Sequence, residues 1–150
     1  MLLSELTVYH GTSKHHETTL KPPIFVTTDT NGANWFAQRD GAQGVILRGD
    51  LNVKRALDVR GAEGFAAMVK LARSAGLTVE EDPYFQCDEI SEYSQYDGGN
   101  SLDLVYVPAF VKALKKAGYD SVHASDVLES SEIETYVLFS PAQFIVQGSE

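Results

Sequence analysis

Short apolar stretches, separated by glycine, proline and acidic residues, dominate the chain and predict β-strands. Valine, isoleucine, threonine and aromatic residues are concentrated in them, as in strands of folded proteins. The predicted strands cover 5–9, 24–28, 44–53, 119–124, 133–140 and 143–146, with an interruption at Gly49 in the third. The pattern therefore predicts a protein in which strands outnumber helices.

Helical spacing of apolar residues appears in three places. The segment 29–38 begins with Asp29 or Thr30 as a cap and has Ala33, Phe36 and Ala37 on one face. The second helix is predicted in 62–76, with Gly76 just after its end, and the third in 108–118, from Pro108 to Gly118. The segment 125–132 reads as a turn region, and 80–101 as a long surface excursion without periodicity.

The order of these elements indicates fold class and domain number. A chain of 150 residues can bury the core of one domain. It contains no repeat and no linker, and its strands do not alternate regularly with helices. We therefore predict a single α+β domain over residues 1–150.

Net charge, apolar runs and cysteine count restrict the possible classes of function. A formal net charge of −9 argues against direct binding to nucleic acid, which needs basic surface. No apolar run is long enough for a membrane span, and one cysteine, Cys87, fits a reducing cytoplasm. The pair His15–His16 lacks a third ligand at helix spacing, so no metal site is predicted.

The segment 80–103 carries acidic residues and no basic ones. Such a run attracts a basic surface, so the predicted partner is a basic protein, including one associated with nucleic acid. The other interpretation is a loop that is acidic only for solubility.

Three pieces of the sequence together resemble a known family. They are "VYHGTS" at 8–13, "IFVTTDTNGANWFA" at 24–37, and "KKAGYDSVHA" with "EIETYVLFSPAQFI" in the last third. Their order and spacing are similar to the ADP-ribosyltransferase fold, in particular to the ADP-ribosyltransferase domains of phage and mobile-element polyvalent proteins. The middle segment "VILRGDLNVKRALDV" adds to this resemblance, which covers most of the chain outside 60–105. It implies two small packed sheets with a few flanking helices.

The resemblance implies an enzyme that takes NAD⁺ as substrate and breaks the bond between nicotinamide and ribose. His10 would bond the adenine-side ribose, and Gly11 would present its backbone to the nicotinamide carboxamide. The implied cofactor-binding residues are Tyr9, His10, Gly11, Thr12, Phe25, Thr27, Trp35 and Phe36, with Phe25, Trp35 and Phe36 as an aromatic slot. The other interpretation of Phe25 and Phe36 is plain core packing.

The catalytic carboxylate is where the sequence departs from the family. The family places a glutamate directly before the strand's aromatic residue, and here that position, before Tyr136, is Thr135. Glu134 and Glu132 share the face of Tyr136 because strand side chains alternate, and a one-residue bulge is expected to bring Glu134 into the site. Glu134 and His10 are thus the predicted catalytic residues, and the alternative is a site that has lost its carboxylate.

Three functions follow from the resemblance. The first is a mono-ADP-ribosyltransferase that modifies a host protein in the host cytoplasm, encoded by a phage for host takeover or inhibition of host defence. The second is a non-enzymatic acidic module on the same fold that blocks a basic partner. The third is an RNA 2′-phosphotransferase, which the acidic charge disfavours because that reaction needs a basic substrate path.

Overall fold

The protein forms seven strands and three helices in the part of the chain that the structure, a computed structural model, describes: residues 6–13, 20–38, 44–76, 103–128 and 131–149. The strands are β1 (Thr7–Ser13), β2 (Ile24–Thr27), β3 (Gly44–Leu51), β4 (Ala56–Asp58), β5 (Ser121–Leu128), β6 (Ser131–Leu138) and β7 (Phe144–Ser149). The helices are α1 (Thr30–Gln38), α2 (Gly61–Ser74) and α3 (Pro108–Lys116), and short 3₁₀ turns span Asp103–Tyr106 and Pro141–Gln143.

All seven strands join in one mixed sheet, in the order β4-β5-β6-β2-β1-β3-β7. Among the neighbouring pairs of these described strands, β4–β5 is the one parallel pair, and helices α2 and α3 lie between its two strands in the chain. One mixed sheet with a few helices is compatible with the predicted α+β class. The expectation of two separate sheets is corrected, because β1 pairs with β2 as well as with β3.

The contact between β1 and β2 is nevertheless short. Among the described residues, Tyr9↔Thr27 is the single register pair that joins them, whereas β1 and β3 pair along the whole of β1. We call this junction the seam. It divides the sheet into the halves β4-β5-β6-β2 and β1-β3-β7.

Because successive side chains of a strand point to opposite sides, the sheet has two different faces. On the helix face, Val122 and Val137 pack with Phe110 and Leu114 of α3 and Met68 of α2. On the opposite face, a second core cluster forms around Val8, Val26, Leu138 and Phe144. We call this second side the open face, because no helix takes part in its cluster of described residues.

Helix α1 packs unusually closely on β1. A Cβ atom at Gly11 would lie 1.7 Å from the carbonyl oxygen of Ala33 and 2.8 Å from the backbone nitrogen of Ala37. Ala33 and Ala37 are buried, as the helical pattern predicts. Gly11 is thus the residue that lets a helix backbone rest directly on a strand.

Two predicted helix ends are confirmed by backbone geometry. Gly76 and Gly118 have φ angles of 80° and 96°, in the left-handed region that glycine adopts without a Cβ penalty. The predicted turn at 125–132 is wrong, because β5 and β6 extend into it and pair as far as Leu128↔Ser131. The register between β3 and β7 shifts between Arg48 and Gly49 because Gln147 of β7 has no partner in this ladder, and β3 stays continuous through Gly49.

Several sequence features lie outside the described residues. They are the pair His15–His16, Cys87, and the acidic segment as far as residue 102.

Candidate functional site

His10 lies at the seam, where β1 and β2 lose their regular pairing. Its Nδ1–H donates a hydrogen bond to the backbone carbonyl of Phe25, with 2.7 Å between nitrogen and oxygen. A backbone carbonyl needs a donor, and the imidazole supplies the one that a longer β1–β2 ladder would give. On its other side the ring meets Phe144 edge-on, with 6.2 Å between centroids, which places His10 on the open face.

The surroundings of His10 favour its neutral form. Burial lowers the pKa of His10, and the hydrogen bond to the Phe25 carbonyl opposes this in part. With the proton on Nδ1, the neutral ring keeps Nε2 as a hydrogen-bond acceptor. A hydroxyl group is the kind of ligand that such a nitrogen accepts.

A second group of polar side chains lies on the other half of the sheet. The Nε2–H of His123 donates to Oε1 of Glu134 at 2.8 Å. The His123 ring stacks on Tyr136, with 4.1 Å between centroids and 12° between the planes. The His123 side chain is 13% exposed and that of Glu134 is 43% exposed, so the carboxylate reaches solvent while its partner is enclosed.

Strand register explains this arrangement. His123 of β5 is the direct partner of Tyr136 of β6, and Glu134 lies two residues earlier on the same face of β6. Directly opposed side chains on neighbouring strands contact each other, and diagonal ones come within reach of long side chains. His123 therefore meets both Tyr136 and Glu134.

A salt bridge between Asp58 and Arg60 lies beside this group of side chains. Asp58 of β4 is the register partner of His123, and its carboxylate accepts hydrogen bonds from Nε and Nη2 of Arg60, each at 2.9 Å. The bond to Arg60 lowers the pKa of Asp58, and the bond to Asp58 raises that of Arg60. We call Asp58, Arg60, His123, Glu134 and Tyr136 the edge cluster.

Burial also lowers the pKa of His123, and the bond to Glu134 opposes this. Burial, followed by the nearby charge of Glu134, raises the pKa of Tyr136. Both groups are therefore favoured in their neutral forms. In the edge cluster, the solvent-reaching carboxylate of Glu134 thus lies beside neutral aromatic rings, whereas the exposed carboxylate of Asp58 is paired with Arg60.

The register relates His10 to the edge cluster. Tyr136 pairs with Val26, and the pair Tyr9↔Thr27 puts His10 beside Val26. At regular strand spacing, two steps between strands and two residues along β6 correspond to about 12 Å between the Cα atoms of His10 and Glu134. Val26 and Tyr136 between them are buried, so His10 and Glu134 share a face without touching.

Residues predicted for one site are divided between the two faces. Thr12 shares the open face with His10 by alternation, whereas Tyr9, Gly11 and Thr27 face helix α1. Thr27 is fully buried, and its hydroxyl donates to the carbonyl of Asp29 at 2.6 Å. A ligand that contacted both sets would have to reach through the seam.

The predicted aromatic slot is only partly described. Phe25 packs against the core of the helix face and stacks with Tyr106, with 6.0 Å between centroids. Trp35 is half-buried on α1, and the Phe36 side chain lies outside the described residues. An apolar groove of about 540 Å³ runs past Tyr106 on this helix face, with Pro22, Pro23 and Val111 among its walls.

Thr135 occupies the position at which the resemblance expects a glutamate. It is fully buried, and its hydroxyl donates to the carbonyl of Ile133 at 3.1 Å. The expected bulge is not present: β6 pairs without a break from Ser131 to Leu138 with β5. Glu134 reaches the face of His10 by ordinary alternation instead.

The sequence analysis did not single out His123, Asp58 or Arg60. His123 became recognisable as a site residue only through its pairing with Tyr136, and the segment between them was read as a turn. A long antiparallel hairpin centred near residues 129–130 would have predicted this pair. In such a hairpin the residue numbers of every two opposed residues have the same sum, as they do for His123 and Tyr136. Asp58 and Arg60 lie near His123 because β4 pairs in parallel with β5. That pairing leaves no local signal in the sequence.

The described ranges contain neither a cluster of metal ligands nor a helix that could span a membrane. No group of three or more histidine, cysteine, aspartate or glutamate side chains is placed there to hold a metal ion. None of the described helices is long and apolar enough to cross a membrane.

The pKa of His10 gives a stability prediction. Because this pKa is lowered in the folded state, the unfolded chain binds the proton more tightly, and stability falls as the pH drops below about 6.5. The pKa of His123 is also lowered, so this residue likewise reduces the stability of the folded protein as the pH falls. In His10→Asn the side-chain amide replaces the Nδ1–H donor but does not titrate, so we expect a smaller loss on acidification.

Urea unfolding at about pH 7.5 and about pH 5.5 measures this loss for wild type and variant. An equal loss in both proteins would show that His10 does not contribute to the pH dependence.

Comparison of the chain with protein-family models, curated proteins and solved structures gives no match. The function is therefore argued from the residues and contacts of this chain.

Proposed function

We propose that this protein is a mono-ADP-ribosyltransferase that takes NAD⁺ as substrate and transfers ADP-ribose to a host protein. The observation that carries the proposal is the shared sheet face of His10 and Glu134. One offers a neutral imidazole nitrogen and the other a solvent-reaching carboxylate, about 12 Å apart between Cα atoms. An extended dinucleotide, whose two riboses are joined by a pyrophosphate, is long enough to contact both.

The chemistry assigns a role to the carboxylate. The bond between nicotinamide nitrogen and ribose C1′ breaks, its electron pair leaves with neutral nicotinamide, and the sugar acquires oxocarbenium character. A carboxylate beside that carbon stabilises the positive charge and can hold a ribose hydroxyl, as in glycosidases. A nucleophile of the target protein then bonds to C1′ and releases its proton to a base. Glu134 is the proposed electrostatic group.

His10 is the proposed anchor for the adenine-side ribose. Its Nδ1 is held by the Phe25 carbonyl, so Nε2 has a fixed direction and can accept a hydroxyl hydrogen. The resemblance also implies a backbone contact from Gly11 to the carboxamide, but helix α1 covers Gly11, so this contact is not part of the proposal. Of the other residues that the resemblance implies, Thr12 shares the open face with His10 and is the proposed further contact. Tyr9, Phe25 and Thr27 lie on the helix side of the sheet and are not assigned a contact in this proposal.

The proposed target is a basic protein, including one associated with nucleic acid. The net charge of −9 supports this choice, because an acidic surface speeds encounter with a basic partner and repels nucleic acid. The resemblance to polyvalent-protein domains supports a phage origin and action in the host cytoplasm.

The burial of Thr135 favours a second candidate function. At the position where the resemblance expects the catalytic glutamate, the side chain is closed off from solvent. An acidic module that blocks a basic partner without chemistry would need no carboxylate there. The two candidates differ in whether nicotinamide is released.

Binding of NAD⁺ is tested by its effect on thermal stability. A ligand that binds only the folded state adds about 2.7 kcal/mol at one hundred times its Kd. We expect NAD⁺ to raise the Tm of wild type, and His10→Asn, which keeps the Phe25 bond but lacks Nε2, to lose most of this rise.

Lys70→Ala, on the exposed side of α2, is the control and should show the full rise. No rise at millimolar NAD⁺ in the wild type would count against the proposed function.

A further inference from the structure

Glu134 is held by a single described side chain, that of His123. Of its two oxygens, Oε1 accepts the Nε2–H of His123 at 2.8 Å. A glutamate on a strand surface with 43% of its side chain exposed otherwise has several rotamers open to it. The bond to His123 restricts the carboxylate to those that keep Oε1 on the imidazole.

His123 is itself held on more than one side. The Tyr136 ring lies parallel to it at 4.1 Å, and Asp58 of the neighbouring strand is its register partner. Asp58 is tied to Arg60 by two side-chain bonds, so its carboxylate already has a cationic partner other than the imidazole. The imidazole is therefore oriented by a stacked ring and directs its N–H to Glu134.

We propose that His123 is the positioning residue for Glu134 in ADP-ribose transfer, holding Oε1 so that Oε2 faces the reacting ribose. This inference rests on the proposed function and extends it to a residue to which the resemblance assigns no role. His123 makes no contact with the reacting atoms in this mechanism. It lowers the cost of placing the carboxylate before the substrate binds.

The proposal also gives a pH dependence. Among the described residues, the titratable groups that face His123 are Asp58 on β4, Glu134 and Tyr136 on β6, and Arg60 just after β4. When His123 is neutral, its ring adds no positive charge beside the Glu134 carboxylate. Protonation of His123 places a positive charge 2.8 Å from that carboxylate and weakens its effect on the oxocarbenium-like transition state. Transfer should therefore slow as the pH falls.

The test is a double-mutant cycle on the rate of nicotinamide release from NAD⁺. His123→Phe keeps a ring to stack on Tyr136 but removes the N–H. We expect kcat to fall about tenfold with KM for NAD⁺ unchanged, because the carboxylate acts in the transition state and not in ground-state binding. In a Glu134→Gln background the same change should have no further effect, since His123 acts only through Glu134.

His123→Gln serves as the second variant, because its amide can donate to Glu134 but does not titrate. It should recover part of the rate and lose the decline at low pH. Circular dichroism and Tm of each variant check folding, and a variant that does not fold is replaced by the other in the cycle.

The outcomes are distinct. A tenfold loss that disappears in the Glu134→Gln background supports the proposal. Equal losses in both backgrounds would overturn it, because they would show a structural role for His123. A wild type that releases no nicotinamide would overturn the proposed function and this inference with it.

Discussion

Replacing Gly11 with alanine is expected to lower the free energy of unfolding by about 3 kcal/mol, at the upper end of the usual cost of overpacking. The new methyl group would lie 1.7 Å from the Ala33 carbonyl oxygen and 2.8 Å from the Ala37 nitrogen. Both are backbone atoms of α1, so the helix would have to move away from β1 as a whole. Urea unfolding followed by circular dichroism measures the loss.

Gly148→Ala is the matched control for this substitution. A Cβ there would meet only the guanidinium end of Arg48, at 3.3 Å, which can move at little cost. We expect its stability to stay close to that of wild type. If Gly11→Ala is as stable as wild type but no longer binds NAD⁺, Gly11 is needed for the ligand. The explanation of Gly11 by close packing of α1 on β1 is then wrong.

The Glu134→Gln variant is expected to lose at least about a hundredfold in ADP-ribose transfer, equivalent to about 2.7 kcal/mol for one electrostatic group. Glutamine keeps an oxygen that can accept the His123 N–H, so the local structure should persist. The lost charge is needed only when the bond to nicotinamide breaks, so the affinity for NAD⁺ should stay nearly constant. Labelled NAD⁺ and the target protein measure the transfer.

Two further variants identify the carboxylate. Glu63→Gln, on an exposed position of α2, is the control for the same chemical change and should transfer normally. Glu132→Gln, on the same strand as Glu134, is expected to have a smaller effect. If Glu132→Gln loses transfer while Glu134→Gln retains it, the assignment to Glu134 is wrong.

Most of the fold could be predicted from local signals. The helices at α1, α2 and α3 follow from apolar spacing, and Gly76 and Gly118 mark helix ends through their positive φ angles. The turn at 125–132 was wrong because polar residues there belong to strand ends that pair only with each other. Their hydrogen bonds come from a partner strand, which local composition does not reveal.

The site could be predicted only in part. His10 and Glu134 were predicted from motif resemblance and alternation, which need no knowledge of the partner strands, and their roles stay predictions. The bulge at Glu134 was unnecessary, because regular alternation already puts Glu134 on the face of His10. His123 and Asp58 were missed because their roles depend on register with β6 and on the parallel pairing of β4. Such long-range pairing leaves no periodic signal within one strand.

The most direct test of the proposed activity is the amount of free nicotinamide released from NAD⁺ by the wild-type protein in bacterial host lysate. A Glu134→Gln sample provides the baseline. We predict release by the wild type together with ADP-ribose on a basic protein of the lysate, and release at least about a hundredfold lower with Glu134→Gln. Equal nicotinamide in the two samples, with no modified protein in either, would contradict the account.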